Sequence, residues 1–175
     1  MPFQMCFNPQ ECVACGTCAV ACMDQYDTVI GRDVPCRRIV TLEEHTNGTP
    51  VIRYLSISCM HCRNPICQKV CSQDCYTVDP ETALVLLDPK NCIGCGACVK
   101  ACPIEAVALD TAGKASKCNG CRERLLLGLP AACERACQNQ AIRFKPTEDG
   151  AGDNRETVAL LAQLLREQRN GRTEC

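Results

Sequence analysis

Apolar residues along this chain fall into short runs, each set beside a cysteine-rich stretch. Val51-Ile52-Arg53-Tyr54-Leu55-Ser56-Ile57 and Leu84-Val85-Leu86-Leu87-Asp88 read as strands, as do the shorter Val107-Ala108-Leu109 and Ala141-Ile142-Arg143-Phe144. Short helices are predicted over 17–22, 65–71, 97–102 and 130–137. Pro65 and Pro130 stand near the start of two of them, where a missing N–H costs least. Only near the C-terminus does the pattern hold a helical period. Val158, Leu161, Leu164 and Leu165 recur along one stripe, widened by Ala159 and Leu160. The stretch 146–152 reads as a linker. Asp153 with Glu156 forms a capping-box-like pair, and Gly171 reads as a stop. A helix over 153–170 either packs on its own domain or offers its stripe to a partner or a second copy, because an apolar stripe needs burial.

Composition changes the picture. The 175 residues suit one compact unit or two very small ones. There is no Trp, only three Phe and three Tyr, and twenty Cys. The large side chains that usually fill a core are nearly absent, so cysteine chemistry is expected to hold the fold together. A formal net charge of −1 argues against a nucleic-acid binder. No run approaches the roughly 20 apolar residues of a membrane span. The start, Met1 to Cys6, lacks a basic and an apolar region, so no signal peptide is expected. Arg37-Arg38 is a twin arginine in letters only, with no apolar stretch of export length behind it.

Sixteen of the cysteines form four groups. The first is Cys12, Cys15, Cys18 and Cys22. The second is Cys59, Cys62, Cys67 and Cys71. The third is Cys92, Cys95, Cys98 and Cys102, followed at once by Pro103. The fourth is Cys118, Cys121, Cys133 and Cys137. The third matches the bacterial ferredoxin run, in which three cysteines bind one [4Fe–4S] cluster and the fourth reaches another; the first has the same spacing without the proline. Two residues between cysteines let a short loop turn three thiolates toward one cubane, and the three-residue gap begins a helical turn that points the last one away. Soft thiolate sulfur suits iron.

Disulfides and structural zinc compete with this reading. No export signal accompanies the dense CxxC pairs, which would make strained short disulfide loops. Zinc ligands usually come two plus two, unlike a repeated CxxCxxCxxxC. Iron–sulfur clusters are therefore the expected cofactor. The strand–loop–helix unit of a bacterial ferredoxin occurs twice, so four groups make two modules and four clusters, with all sixteen cysteines used. The fold class expected is α+β: two bacterial-ferredoxin-like modules of short antiparallel strands and short helices, plus a C-terminal helix.

The order of the four groups resembles the four-cluster iron–sulfur subunit of the dimethyl sulfoxide reductase family, which also serves formate dehydrogenases, nitrate and polysulfide reductases and related molybdenum or tungsten enzymes. Tyr54 to Cys62 and Lys117 to Cys121 are similar to that family as well, and the resemblance covers about residues 7–145. It implies that the first group pairs with the fourth, and the second with the third. One module, 1–50 with 110–145, would hold Cys12, Cys15, Cys18 with Cys137, and Cys22 with Cys118, Cys121, Cys133. The inner module, 51–109, would hold Cys59, Cys62, Cys67 with Cys102, and Cys71 with Cys92, Cys95, Cys98. Spacing alone equally allows adjacent groups to pair. The family's fourth cysteines are often followed by proline; here Met23, Ser72 and Gln138 stand there instead. No cysteine of the sixteen is replaced, so no [3Fe–4S] site is expected. Cys75, four residues after Cys71, is a candidate substitute ligand, but the regular set is complete without it; Cys6, Cys36 and Cys175 lie outside the pattern.

Other residues point nowhere sharper. His61 must lie near a cluster, but packing or hydrogen bonding explains it better than a tuning role, and His45 adds nothing. Gly94 and Gly96 interleave with cysteines and free backbone N–H groups for sulfur, not for a nucleotide. No dinucleotide fingerprint, P-loop or Ser/His/Asp constellation is present. Lys114, Lys117, Arg122 and Arg124 flank the fourth group and read mostly as a solvated face. The resemblance implies a non-catalytic electron-transfer subunit. It would relay electrons between a large molybdenum- or tungsten-pterin catalytic subunit and a further redox subunit. The alternative is a polyferredoxin-type carrier, or a subunit that stacks on itself through the C-terminal helix in a tungsten aldehyde oxidoreductase or formate–hydrogen assembly. A non-redox metal scaffold is a third class. The cytoplasm is the expected location, with co-export to the periplasm beside a leader-bearing partner as the alternative.

Overall fold

The structure is a computed structural model that describes residues 1–28, 33–46, 49–148 and 154–171. The central part of the expected linker, the Asp153 cap and Cys175 lie outside the described residues, as does the side chain of His45. Strands and helices are short, and every strand pairs antiparallel with a single partner. In chain order they are β1 (Phe3–Phe7), α1 (Thr17–Gln25), β2 (Arg38–Thr46), β3 (Thr49–Ile57), α2 (Ile66–Lys69), β4 (Tyr76–Val78), β5 (Val85–Leu87), α3 (Ala97–Ala101), β6 (Val107–Leu109), β7 (Ala115–Lys117), α4 (Arg122–Leu126), α5 (Ala132–Ala136), β8 (Ile142–Pro146) and α6 (Arg155–Gly171).

The longest-range pairing joins the ends of the cysteine-bearing region. β1 runs beside β8 in the register Phe3 with Pro146 to Phe7 with Ile142, and α1 packs on α5. These contacts bring the first cysteine group to the fourth. The second and third meet where α2 packs on α3. β4–β5, β6–β7 and the long β2–β3 ribbon are hairpins between neighbours in sequence. The expected borders after 50 and after 109 fall inside the β2–β3 and β6–β7 hairpins, so the chain crosses both places in ordered structure and not through a linker.

With few aromatics, the core is built from aliphatic and methionine side chains. Met5, Leu42, Leu55, Ile57, Met60, Leu84, Ile142 and Leu161 are fully buried, and cysteines such as Cys18, Cys121 and Cys133 pack among them. Leu161 belongs to α6, and Ala162, Leu164 and Leu165 are buried beside it. The apolar stripe of α6 thus packs on its own chain. Gln168 Nε2 donates to the Thr41 carbonyl at 3.1 Å, Arg169 pairs with Glu105, and Asn154 Nδ2 donates to the Met60 carbonyl.

Candidate cluster-binding site

The four CxxC loops share one backbone feature. The third residue of each has a left-handed φ: Ala14 at 55°, His61 at 48°, Gly94 at 70° and Gly120 at 74°. The turn points backbone N–H groups at sulfur. His61 N–H donates to Cys59 Sγ at 3.4 Å and Gly120 N–H to Cys118 Sγ at 3.2 Å. Ala106 N–H does the same for Cys102 and Ala115 N–H for Cys92, each at 3.3 Å. Hydrogen bonds to sulfur favour the thiolate that iron requires. Gly94 is sterically locked: a Cβ there would lie 2.3 Å from the Gly113 carbonyl oxygen.

Two sets of four cysteines each line a cavity. Cys12, Cys15, Cys18 and Cys137 line one, and Cys71, Cys92, Cys95 and Cys98 another. Cys15 and Cys95 are exposed at their mouths. The other two sets are packed more deeply. Cys22, Cys118, Cys121 and Cys133 are all buried. Burial and the neighbouring Cys36, Cys133 and Cys121 push the Cys22 thiol up to about 12. In the last set, burial with Cys59, Cys102 and Cys67 pushes Cys62 up to about 12, and burial with Cys59 pushes Cys67 up to about 11. Thiols held this high keep their protons at neutral pH until a metal displaces them. Among the described residues, no three Cys, His, Asp or Glu side chains converge closely enough for a single ion. Thiols arranged around a volume, and not around a point, suit a cubane better than a lone zinc ion.

Electrostatic influence runs between these cysteines. Cys18 acts on Cys133, Cys59 on Cys118, and Cys98 and Cys67 both on the Tyr76 hydroxyl.

The electrostatics ask for an anion. Arg37 is 2% exposed. Its guanidinium donates to Ser58 Oγ at 2.7 Å, to Ser56 Oγ at 2.8 Å and to Cys133 Sγ at 3.5 Å. Burial pulls its pKa down, but the sulfurs of Cys133, Cys118, Cys18 and Cys22 outweigh that and hold it up. Lys117 is buried too, with Nζ donating to the Val85 and Cys118 carbonyls at 2.6 and 2.5 Å. A buried cation bonded to hydroxyls, carbonyls and sulfur, and not to a carboxylate, is costly unless negative charge comes from elsewhere. A thiolate-ligated iron–sulfur cluster is anionic and meets this need. Two buried polar atoms without a partner also face the cysteine sets: His61 Nε2 and the Tyr76 hydroxyl. His61 Nδ1 accepts Val85 N–H at 3.1 Å, and burial, reinforced by Lys117, lowers its pKa well below the ordinary histidine range. The residues present therefore fit the expected cofactor.

Of the four flanking basic residues only Lys117 is buried, and the others bond to the chain's own surface. Lys114 Nζ donates to the Pro89 and Lys90 carbonyls, Arg122 pairs with the buried Asp79 at 2.8 Å, and Arg124 donates to the Pro130 carbonyl. Asp79 sits low in pKa because Arg122 binds it, with Thr82 adding a second hydrogen bond. Sequence reasoning missed Arg37, Ser56, Ser58, Tyr26 and Tyr76 as neighbours of sulfur. Tyr26 O–H donates to Asn119 Oδ1, and burial and the Cys121 sulfur raise its pKa. The one visible signal is that Tyr26 and Tyr76 follow Cys22 and Cys71 by four and five residues.

Comparison with known proteins completes the picture. A family model described as a 4Fe-4S dicluster domain matches residues 50–147, a span that holds the last three cysteine groups. The chain is 35% identical over 168 residues to YnfG, a probable anaerobic dimethyl sulfoxide reductase subunit of Escherichia coli, covering 91% of this chain and 80% of that protein. It is 34% identical over 156 residues to the B subunit of the anaerobic dimethyl sulfoxide reductase of Haemophilus influenzae, covering 82% and 73%. The thiosulfate reductase electron transfer subunit PhsB of Salmonella typhi is 33% identical over 144 residues, covering 81% and 74%.

Proposed function

The chain belongs to the family of 4Fe-4S iron–sulfur electron-transfer subunits that includes the B subunits of anaerobic dimethyl sulfoxide reductases, and we propose that it carries four [4Fe–4S] clusters. On this reading it relays electrons between a molybdenum- or tungsten-pterin catalytic subunit and a second redox partner. It is a non-catalytic subunit, as its relatives are.

One observation supports the proposal most: two cavities are each lined by four of the sixteen cysteines, one of them exposed, and the sulfurs of the remaining cysteines act electrostatically on those of both cavities or on a residue that they share. Each cluster, when bound, takes up and returns one electron with little change in structure. The protein holds the sites in series, because electron tunnelling falls steeply with distance. It excludes water from Cys22, Cys118, Cys121 and Cys133 by burying them, and it supplies N–H groups, Arg37 and Lys117 to offset negative charge. The ligands proposed are Cys12, Cys15, Cys18 with Cys137; Cys22 with Cys118, Cys121, Cys133; Cys59, Cys62, Cys67 with Cys102; and Cys71 with Cys92, Cys95, Cys98. The β1–β8 pairing and the α1–α5 contact support an outer module of 1–50 with 110–145, and the α2–α3 contact supports an inner one within 51–109.

Val13 at the first cavity and Ile93 at the last are exposed, and they offer apolar contact to partners at both ends of the series. A self-stacking carrier needs an unpartnered stripe on the last helix. That stripe lies in the chain's own core, which favours the subunit reading. Sixteen reduced thiols suit the cytoplasm, with co-export beside a partner as the other route. Anaerobic reconstitution should give about sixteen irons and as many sulfides per chain, and the purified complex should contain a pterin protein. Isolation only as a free monomer would overturn the relay assignment, and zinc in place of iron would overturn the cofactor.

A further inference from the structure

The cavity of the last cysteine set contains a fifth cysteine. Cys75 lines it together with Cys71, Cys92, Cys95 and Cys98, and only 4% of its surface is exposed. Its Sγ donates to the Gln73 carbonyl at 3.7 Å and is influenced by the sulfurs of both Cys71 and Cys92 across the cavity that all three line. Tyr76, 2% exposed, lines the same cavity, and its hydroxyl is buried without a partner. The space is therefore shaped for a group that meets polar and sulfur atoms on several sides.

The chain's internal repetition explains where the fifth sulfur points. The turns that follow Cys71, Cys102 and Cys137 are alike: the third residue onward, Asp74, Glu105 or Gln140, is left-handed, with φ of 49°, 53° and 56°. The fourth residue onward is Cys75, Ala106 or Ala141. Ala141 lines the first cavity as Cys75 lines the last. A position that elsewhere places a methyl group against the site here places a thiol. The proline expected after the fourth cysteine is also missing: Ser72 leaves φ unlocked in the turn that joins the two sulfurs.

Building on the four-cluster reading above, we infer that Cys71 and Cys75 are interchangeable ligands of the cluster held by Cys92, Cys95 and Cys98. When one sulfur is absent the other loses its proton to solvent and binds the same iron, so the iron coordination number is unchanged. The cluster at this end, beside the exposed Cys95, thereby survives damage to either thiol.

The test uses the full chain, reconstituted anaerobically with iron and sulfide. Cys71→Ala and Cys75→Ala should each keep the wild-type iron of about sixteen per chain, with an altered EPR spectrum for the reduced cluster in Cys71→Ala. The double variant should lose about four irons. Signals from the other three clusters report whether each variant has folded. Iron loss in either single variant, or full iron in the double, overturns the inference. Should Cys71→Ala fail to fold, the first cavity supplies a second route. Cys137→Ala should lose a cluster there, and Ala141→Cys in the same chain should restore it; failure to restore overturns the positional argument. A wild-type chain with fewer than about sixteen irons refutes the four-cluster reading instead.

Discussion

Replacing Arg37 by methionine removes a buried positive charge while keeping most of the volume of its stem. The guanidinium lies 3.5 Å from Cys133 Sγ and interacts also with Cys18, Cys22 and Cys118, so it acts on cysteines of two of the proposed sites. A unit charge about 7 Å from a cluster centre interacts with the added electron by about 2.4 kcal/mol at an effective dielectric of about 20. A one-electron couple shifts about 59 mV per tenfold change in equilibrium, so the loss corresponds to about 100 mV. Water entering beside Ser56 and Ser58 would screen part of this, leaving a fall of about 50 to 100 mV. The fall is toward lower potential, because the cation favours the reduced, more negative state. Serine stranding is limited, since Ser56 Oγ already lies 3.3 Å from Cys18 Sγ. The assay is an EPR-monitored redox titration, with iron content as the control and Arg37→Lys as the variant that should recover most of the shift. Unchanged potentials in a fully loaded Arg37→Met chain would refute the placement of this charge among the clusters.

Other expectations follow from the same geometry. Gly94→Ala forces a left-handed φ of 70° on a residue whose Cβ meets the Gly113 carbonyl oxygen at 2.3 Å; it should cost about four irons, all from the Cys71/92/95/98 site, by metal analysis and EPR. His61→Leu leaves Val85 N–H without its acceptor and should lower stability by about 1–3 kcal/mol, read from the guanidinium midpoint of cluster absorbance; an unshifted midpoint would show that this bond carries no weight. Chelating the iron under reducing conditions should collapse the far-UV circular dichroism, because thiol–metal bonds take the place of the missing aromatic core; a native spectrum without iron would contradict this.

The cysteine spacing made the 4Fe-4S family, the four CxxC loops and most short helices legible. What escaped was whatever depends on distant partners or on very few residues. β1 spans Phe3–Phe7 and pairs with Ile142–Pro146 across nearly the whole chain, a pairing that no local pattern announces. β2 carries Glu43, Glu44 and His45 and looks polar; it forms a strand because β3 pairs with it along its length. β4 and β7, at three residues each, are too short for any periodicity to show. α4 begins directly after Cys121, itself left-handed at 53°, so its start has none of the usual capping residues. Arg37 shows the limit best. In sequence it is half of a twin arginine, and only the fold turns it into a buried counter-charge. The stripe of α6 was fully visible, but its destination depended on Leu42, Met60 and their neighbours forming one core with it.

The proposed function rests on four one-electron sites in series within one small chain. Coulometric reduction of the anaerobically reconstituted protein, followed by EPR, tests this most directly. The expected result is uptake of about four electrons per chain with magnetic coupling between neighbouring centres. Uptake of only two electrons, or four uncoupled signals, would contradict it.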